Sequence, residues 1–445
     1  MNWIYFGLPS NTLRLCLLLR IGIYRMYERG WMFICIILIW SEGVIALASA
    51  CPAFGSFFGS AIDSVEQTSV AIAEPFNKDT VIGTSLSLNL DTTEVKKKPS
   101  FFRRFLNYFN DANKPKPRKK FDFSIIGGPH YSSDTKLGLG LVAAGLYQGK
   151  DTLMQPSMVS LYGDVSTTGF YLLGVKGTHF FPEDKYRLLY NLYFFSFPGY
   201  FWGTGYEAGS NDDNKGNYKR IQNQVKIDFL FRLANNLYAG PLASFDYVAG
   251  SNFEKPETLN GAAKSTLSVG IGGSISYDTR DFQTNSYKGV YLKLEQSLSP
   301  CFLGNKDVFY TTDVLADIYQ KVWKGGILAI DIHAKFTFGD TPWTMMPKLG
   351  GTLRMRGYYE GQYRDRNVGE VQVELRQHVW KRNGVVFWVG AGNVFHDFRS
   401  FKWSHTLPNY GLGYRWEFKK RVNVRLDYGF GKGQSGFLFN INEAF

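Results

Sequence analysis

Six histidines are the residues of this 445-residue chain most able to bind metal or move protons: His130, His179, His333, His378, His396 and His405. They show no zinc-site spacing, and no serine or cysteine has the surroundings of an activated nucleophile. His130-Tyr131-Ser132-Ser133-Asp134 gathers the residue types of a hydrolytic triad. Neighbours in sequence do not make a triad in space, however, and a turn is expected there. Gly138-Leu139-Gly140 and Gly429-Phe430-Gly431-Lys432-Gly433 lack the following helix whose N-terminus would cradle a phosphate. The chain is therefore read as having no catalytic residue, no bound metal and no cofactor. What remains is ion-pair chemistry, concentrated in Leu349-Gly350-Gly351-Thr352-Leu353-Arg354-Met355-Arg356-Gly357-Tyr358-Tyr359-Glu360-Gly361-Gln362-Tyr363-Arg364-Asp365. Its glycines permit tight turns, and its Arg and Tyr residues offer polar tips on packing surfaces.

The elements that must position this segment are strands. From about Phe121 to Phe445 the sequence alternates with period two between clusters of Gly, Asn, Asp, Ser and Pro. In Val368 to Val379 one face carries Glu370, Gln372, Glu374, Arg376 and His378, and the other Val371, Val373, Leu375 and Val379. Asp331, His333, Lys335 and Thr337 alternate in the same way with Ile330, Ile332, Ala334, Phe336 and Phe338. Arg421, Asn423, Arg425 and Asp427 alternate with Val422, Val424, Leu426 and Tyr428. One such strand would also suit a soluble sheet. Many of them, with several charges per polar face and no helices to cover the apolar faces, leave lipid as the partner for the greasy side.

Sixteen strands are expected, the first near 121–128, the fifth near 185–196 and the last near 436–445, most of them long enough to cross a bilayer at a tilt. The fold class is all-β, a transmembrane antiparallel β-barrel with charged faces toward a wet lumen. His333 and His378 would line that lumen. An even count puts both ends of the barrel on the periplasmic side. The longest connection, residues 339 to 367 after the eleventh strand, then lies outside or folds back into the lumen.

Composition agrees with this class. Aromatics make up 17% of the residues, with 47 Gly, which suits strands, turns and an aromatic-rich surface. Residues 1–50 read as a signal peptide: Arg14, Arg20, Arg25 and Arg29 precede the apolar run Met32 to Trp40, and Ala48-Ser49-Ala50 supplies a cleavage pattern. Translation from Met26 or Met32, a retained anchor and lipidation of Cys51 stay open. Cleavage would leave Cys51 and Cys301, whose separation gives no reason to pair them. Of the formal +12, residues 1–50 hold +2 (four Arg, two Glu) and residues 96–120 hold +9 (ten Lys/Arg, one Asp). Residues 51–120 are expected to be a flexible extension whose basic amphipathic segment either lies on anionic lipid or is a solvated linker. Nucleic acid is not an expected partner.

The long connection also carries a resemblance. Met355-Arg356-Gly357-Tyr358, with Gly350-Gly351 before it and Tyr363-Arg364-Asp365 after it, resembles the sixth-loop motif of the BamA/TamA outer-membrane superfamily, or bacterial surface antigen family. Val373-Glu374-Leu375-Arg376, Gly390-Ala391-Gly392-Asn393-Val394-Phe395, Arg425-Leu426-Asp427-Tyr428-Gly429, Asp278-Thr279-Arg280-Asp281 and Phe201-Trp202-Gly203-Thr204-Gly205-Tyr206-Glu207 are similar to further family segments. The resemblance implies that Arg356 enters the lumen and pairs with Glu374, with Asp427 as a second candidate. Many relatives have an acid on the thirteenth strand where this chain has Gly390, so a partner from that strand is not expected.

Gln434, Gly436, Phe439, Ile441 and Phe445 resemble the C-terminal signal by which such barrels are inserted, which would make the barrel assembly machinery a partner during biogenesis. Relatives usually carry periplasmic POTRA domains, but residues 51–120 lack the pattern for one. The resemblance implies an integral outer-membrane protein, in contact with the lipids there, that assists assembly, insertion or translocation of client proteins or lipids. A passive channel and a barrel phospholipase are the alternatives.

Overall fold

The strands follow the period-two pattern. The computed structural model describes residues 121–132, 136–147, 157–283, 285–419 and 421–445. Among them, sixteen strands form one antiparallel sheet in which each strand pairs with its sequence neighbours. They are β1 (Phe121–Ser132), β2 (Lys136–Tyr147), β3 (Ser157–Ser166), β4 (Tyr171–Phe180), β5 (Tyr186–Phe201), β6 (Gly216–Ala234), β7 (Leu237–Ser251) and β8 (Ser265–Asp278). The second half comprises β9 (Gly289–Ser299), β10 (Phe309–Trp323), β11 (Gly326–Gly339), β12 (Asn367–Trp380), β13 (Asn383–Phe395), β14 (Leu407–Lys419), β15 (Val422–Gly431) and β16 (Gln434–Ile441). The expected signal peptide and extension, residues 1–120, lie outside the described residues.

The sheet is inside out. Gln222, Asp228, Asp331, His333, Glu370, Gln372, Glu374, Arg425 and Asp427 are all buried, whereas Leu173 is 58% and Val389 61% exposed. Exposed Leu, Ile, Val, Phe and Tyr recur on the outer face from Ile125 to Phe437. A water-soluble sheet would reverse this arrangement; a transmembrane β-barrel requires it, because its outer face meets hydrocarbon and its lumen is polar. Register carries the alternation from strand to strand. Asp331 lies opposite Gln372 and His333 opposite Glu370 on the inner face, while Ile330 opposes Val373 and Ile332 opposes Val371 on the outer. β1 and β16 lie side by side, but among the described residues no backbone ladder joins them. The barrel therefore has a seam there.

Some expectations change. β1 continues through His130, Tyr131 and Ser132, which pair with Gly138, Leu137 and Lys136, so strand replaces the expected turn. β5 runs on to Phe201 rather than ending near residue 196, passing through Pro198. Its pairing with β4 stops at Ser196, so Pro198 sits where β5 has only β6 beside it and its missing N–H breaks no ladder. Cys301 lies on the turn after β9, and the other cysteines lie outside the described residues. Connections after odd-numbered strands define the loop rim and those after even-numbered strands the turn rim.

Candidate functional site: a loop anchored in the lumen

The connection from β11 to β12, residues 340–366, folds against the inner wall. Lys348–Leu349 pairs with Tyr363–Arg364 in a two-residue ladder that pinches the loop at its base. Leu349, Met355, Tyr358 and Tyr363 then pack with Val368, Val394 and Leu407 of the wall in one apolar cluster. This burial holds the loop's middle inside, and the turn at its tip aims Arg356 at the strands. Met355 takes a left-handed φ of 46° and Gly357 a φ of 109°. Gly357 has no side chain for a second reason: a methyl group there would stand 2.6 Å from the Gly429 carbonyl of β15. The two backbones touch, and only glycine at both positions allows it.

Arg356 is 0% exposed. Its Nη2 donates to Glu374 Oε2 at 2.5 Å and its Nη1 to Asp427 Oδ2 at 2.6 Å, so one planar fork spans β12 and β15. The structure thus brings Arg356, Glu374 and Asp427 together. Where the family's acid was missing, β13 supplies an aromatic face: the Arg356 guanidinium lies 3.7 Å from the centre of the Trp388 ring. Trp388 Nε1 donates to Asn409 Oδ1 at 2.9 Å, and Asn409 Nδ2 donates to the Arg356 carbonyl. Tyr358 fixes the next position, its hydroxyl donating to the Pro408 carbonyl and accepting from the Lys432 amide, both at 2.7 Å.

Further contacts extend the anchor. Arg354 Nε donates to both Asp331 oxygens, at 2.9 and 2.7 Å. Arg425 Nη2 donates to the Thr352 carbonyl at 2.9 Å, and Gln372 Nε2 to the Leu353 carbonyl at 3.1 Å. Towards the loop rim, Glu360 pairs with Lys348 at 2.6 Å and with Arg220 at 3.6 Å. Burial raises the Glu360 carboxyl, but Lys348 and Arg220 outweigh it and hold it at about 2. Burial, with Arg220 beside it, pulls Lys348 down to about 7. The single helical turn Tyr206–Ser210 packs on the loop: Tyr206 stacks on Tyr363, and Gln362 Nε2 donates to the Gly209 carbonyl at 2.8 Å.

Towards the turn rim the charges continue. Glu374 accepts from Arg376 at 2.7 Å, Asp427 from Arg415 at 2.5 Å, and Arg415 also reaches Glu443 at 2.7 Å. Glu443 belongs to a tail that leaves the wall. β16 ends at Ile441, Asn442 adopts a left-handed φ of 69°, and the chain turns inward. Phe445 is 5% exposed and packs with Tyr319, Ala329 and Ala444, while its carbonyl accepts from Arg376 at 2.8 Å. Of the expected insertion signal, Gln434, Gly436, Phe439 and Ile441 lie on β16. Phe445 stands apart from them in the lumen, because the turn at Asn442 and the Glu443 ion pairs draw it in. Gln434 also accepts from the Tyr359 amide at 3.1 Å, a contact with the loop.

Sequence reasoning missed Trp388, Asn409 and Glu443. Trp388 and Asn409 carried no usable signal, since their role depends on where the loop tip lands. Glu443 had one: a carboxylate next to the last strand needs a partner.

His333 sits between Asp313 and Glu370, 3.3 and 3.0 Å away, in the lumen, and His378 at the turn rim contacts the Lys381 carbonyl at 2.7 Å. No cluster able to hold a metal ion occurs among the described residues.

A sixteen-stranded transmembrane β-barrel with a long loop anchored in its lumen, Arg356 at its tip, defines a class of membrane protein. The chain belongs to the Omp85 superfamily, whose domain model matches residues 175–445. It is similar to BamA from Haemophilus ducreyi lacking POTRA domains 1-3, at 12% identity over 74% of this chain and 70% of that one, with a TM-score of 0.49. It is also similar to CdiB from Escherichia coli, at 11% identity over 74% of this chain and 64% of that one, with a TM-score of 0.50. CdiB from Acinetobacter baumannii matches at 11% identity over 73% of this chain and 60% of that one, with a TM-score of 0.48. The chain thus spans less than two thirds of either CdiB chain, and these likenesses concern the fold. No curated protein sequence matches it.

Proposed function

We propose that this barrel resides in the bacterial outer membrane and assists the assembly, insertion or translocation of proteins or lipids there. The observation that carries the reading is a loop anchored on β15, one strand from the line where β1 and β16 lie side by side with no ladder among the described residues. An unpaired edge is a template for another strand. Anchoring on β12 and β15 keeps the wall beside the seam in place while the seam itself stays free to part. Membership of the Omp85 superfamily supports the same reading. The barrel acts without covalent catalysis: its ion pairs position chain segments, and no nucleophile is involved.

Two measurements test this. Depleting the protein in its native cell, followed by an inventory of outer-membrane proteins and lipids, should reveal a class that falls; an unchanged inventory contradicts the proposal. Cysteine pairs scanned along β1 and β16 should staple the seam on oxidation and block complementation of the depleted strain, with recovery on reduction. Full complementation by a stapled barrel, together with steady conductance in planar bilayers, would instead favour a passive channel.

A further inference from the structure

The turn-rim end of the lumen holds a half-open cavity of about 460 Å3, on the far side of the Arg376–Arg415 layer from the loop tip. That volume lies within the range of ~300–1,000 Å3 that small ligands occupy. Its wall carries five Lys or Arg residues against two carboxylates, Glu417 and Glu443. Both carboxylates are already engaged by protein donors. Glu417 accepts from the Arg421 amide at 3.0 Å, and Glu443 from Arg415 Nε at 2.7 Å and Asn423 Nδ2 at 2.5 Å.

Arg376 and Arg415 keep a spare donor each beyond their ion pairs. Arg376 and Arg415 are each more than nine-tenths buried, and Arg376 Nη1 and Arg415 Nη2 have no hydrogen-bond partner. Leaving a buried charged donor unpaired costs more than the roughly 1–3 kcal/mol of a neutral one. The arginine layer places its positive charge behind the cavity wall, where it attracts an anion. Lys321 and Lys324 add charge at the mouth, and Trp323, Ile327 and Val386 give the same cavity an apolar wall.

A ligand that satisfies this lining has an anionic head of several acceptor oxygens joined to a carbon skeleton. Guanidinium forks match phosphate oxygens, and the indole and aliphatic groups match glycerol and the first acyl carbons. The mouth also lies where lipid heads gather, since Trp323 and Trp380, both strongly exposed, mark the turn rim as an interfacial level. We propose that this cavity binds the phosphate-bearing headgroup of a membrane lipid. The bound phosphate competes with Glu443 for Arg415 and Arg376, the arginines that also contact Asp427 and Glu374.

The test uses the full chain purified in a phosphate-free maltoside detergent. Short-chain phosphatidylglycerol, the matching diacylglycerol and inorganic pyrophosphate are titrated separately, with native mass spectrometry and thermal stability as readouts. Phosphatidylglycerol is expected to bind saturably and stabilise the barrel, and diacylglycerol to do neither. In a Lys321→Gln/Lys324→Gln variant the affinity is expected to fall about tenfold, equivalent to ~1.4 kcal/mol, with folding unchanged because both side chains sit at the mouth. Equal binding of phosphatidylglycerol and diacylglycerol overturns the proposal, as does unchanged affinity in the variant. Pyrophosphate binding as tightly as phosphatidylglycerol would overturn the lipid assignment in favour of a free-phosphate site.

Discussion

Gly357 at the loop tip and Gly429 on β15 meet backbone to backbone, so closely that neither position has room for a methyl group. Gly429→Ala should therefore push the loop away from β15 and misalign the Arg356 fork. The expected outcome is a barrel that still forms but whose 340–366 segment is cut readily by added protease. Wild-type resistance in this variant would show that the contact is dispensable.

Arg356→Ala leaves Glu374 buried with Arg376 as its remaining direct ion-pair partner and removes one of the cations facing Asp427. Breaking a buried pair by removing one partner costs about 3–5 kcal/mol. The loop should become protease-sensitive and the folded barrel should melt at a lower temperature. Arg356→Lys should rescue little, because an ammonium cannot span carboxylates on β12 and β15 while stacking on Trp388. Near-complete rescue by lysine would show that charge alone matters.

Trp388→Leu keeps the inner wall apolar but removes the ring beneath the guanidinium and the donor to Asn409. A desolvated cation–π contact is worth about 2 kcal/mol. Urea titration of the barrel in detergent micelles should show a loss of that order, halfway to the effect of removing Arg356. No loss would mean that the ring only fills space.

The Lys348 cluster makes loop stability depend on pH. Burial and Arg220 hold Lys348 at about 7 in the folded loop, below its ordinary value of 10.5, with Arg364 adding to the cationic side and Glu360 opposing it. Between those values the unfolded chain binds the proton that the folded loop lacks, so stability rises with pH across that window. Protease resistance of the loop should increase from pH 7 towards pH 10, and the slope should vanish in Lys348→Met. A falling profile, or the same slope in the variant, would contradict this.

The inward faces of β11, β12 and β15 were legible because strand geometry makes alternate residues share a face. Glu374 and Asp427 could therefore be assigned to the lumen before anything was known of the loop. The loop's inward course followed from the motif at Arg356. Trp388 and Asn409 were not legible, since a tryptophan on an inner face has many uses and only the loop tip above it selects one. The tail after β16 was hidden for a different reason: the direction of the chain past Ile441 turns on one backbone angle, at Asn442. β5 runs past its expected end near residue 196 because Pro198 falls where the strand has a neighbour on one side only.

The shared carboxylates also impose an order on biogenesis. Arg356 precedes β12 to β16 in the chain, yet one of its two partners, Asp427, lies on the penultimate strand and is itself held by Arg415, which also holds Glu443 beyond the last one. A nascent barrel that lacks its final hairpin offers the arginine only half a socket. Closure of the latch thus reports that the whole wall has arrived, making it a completion check written into the chain.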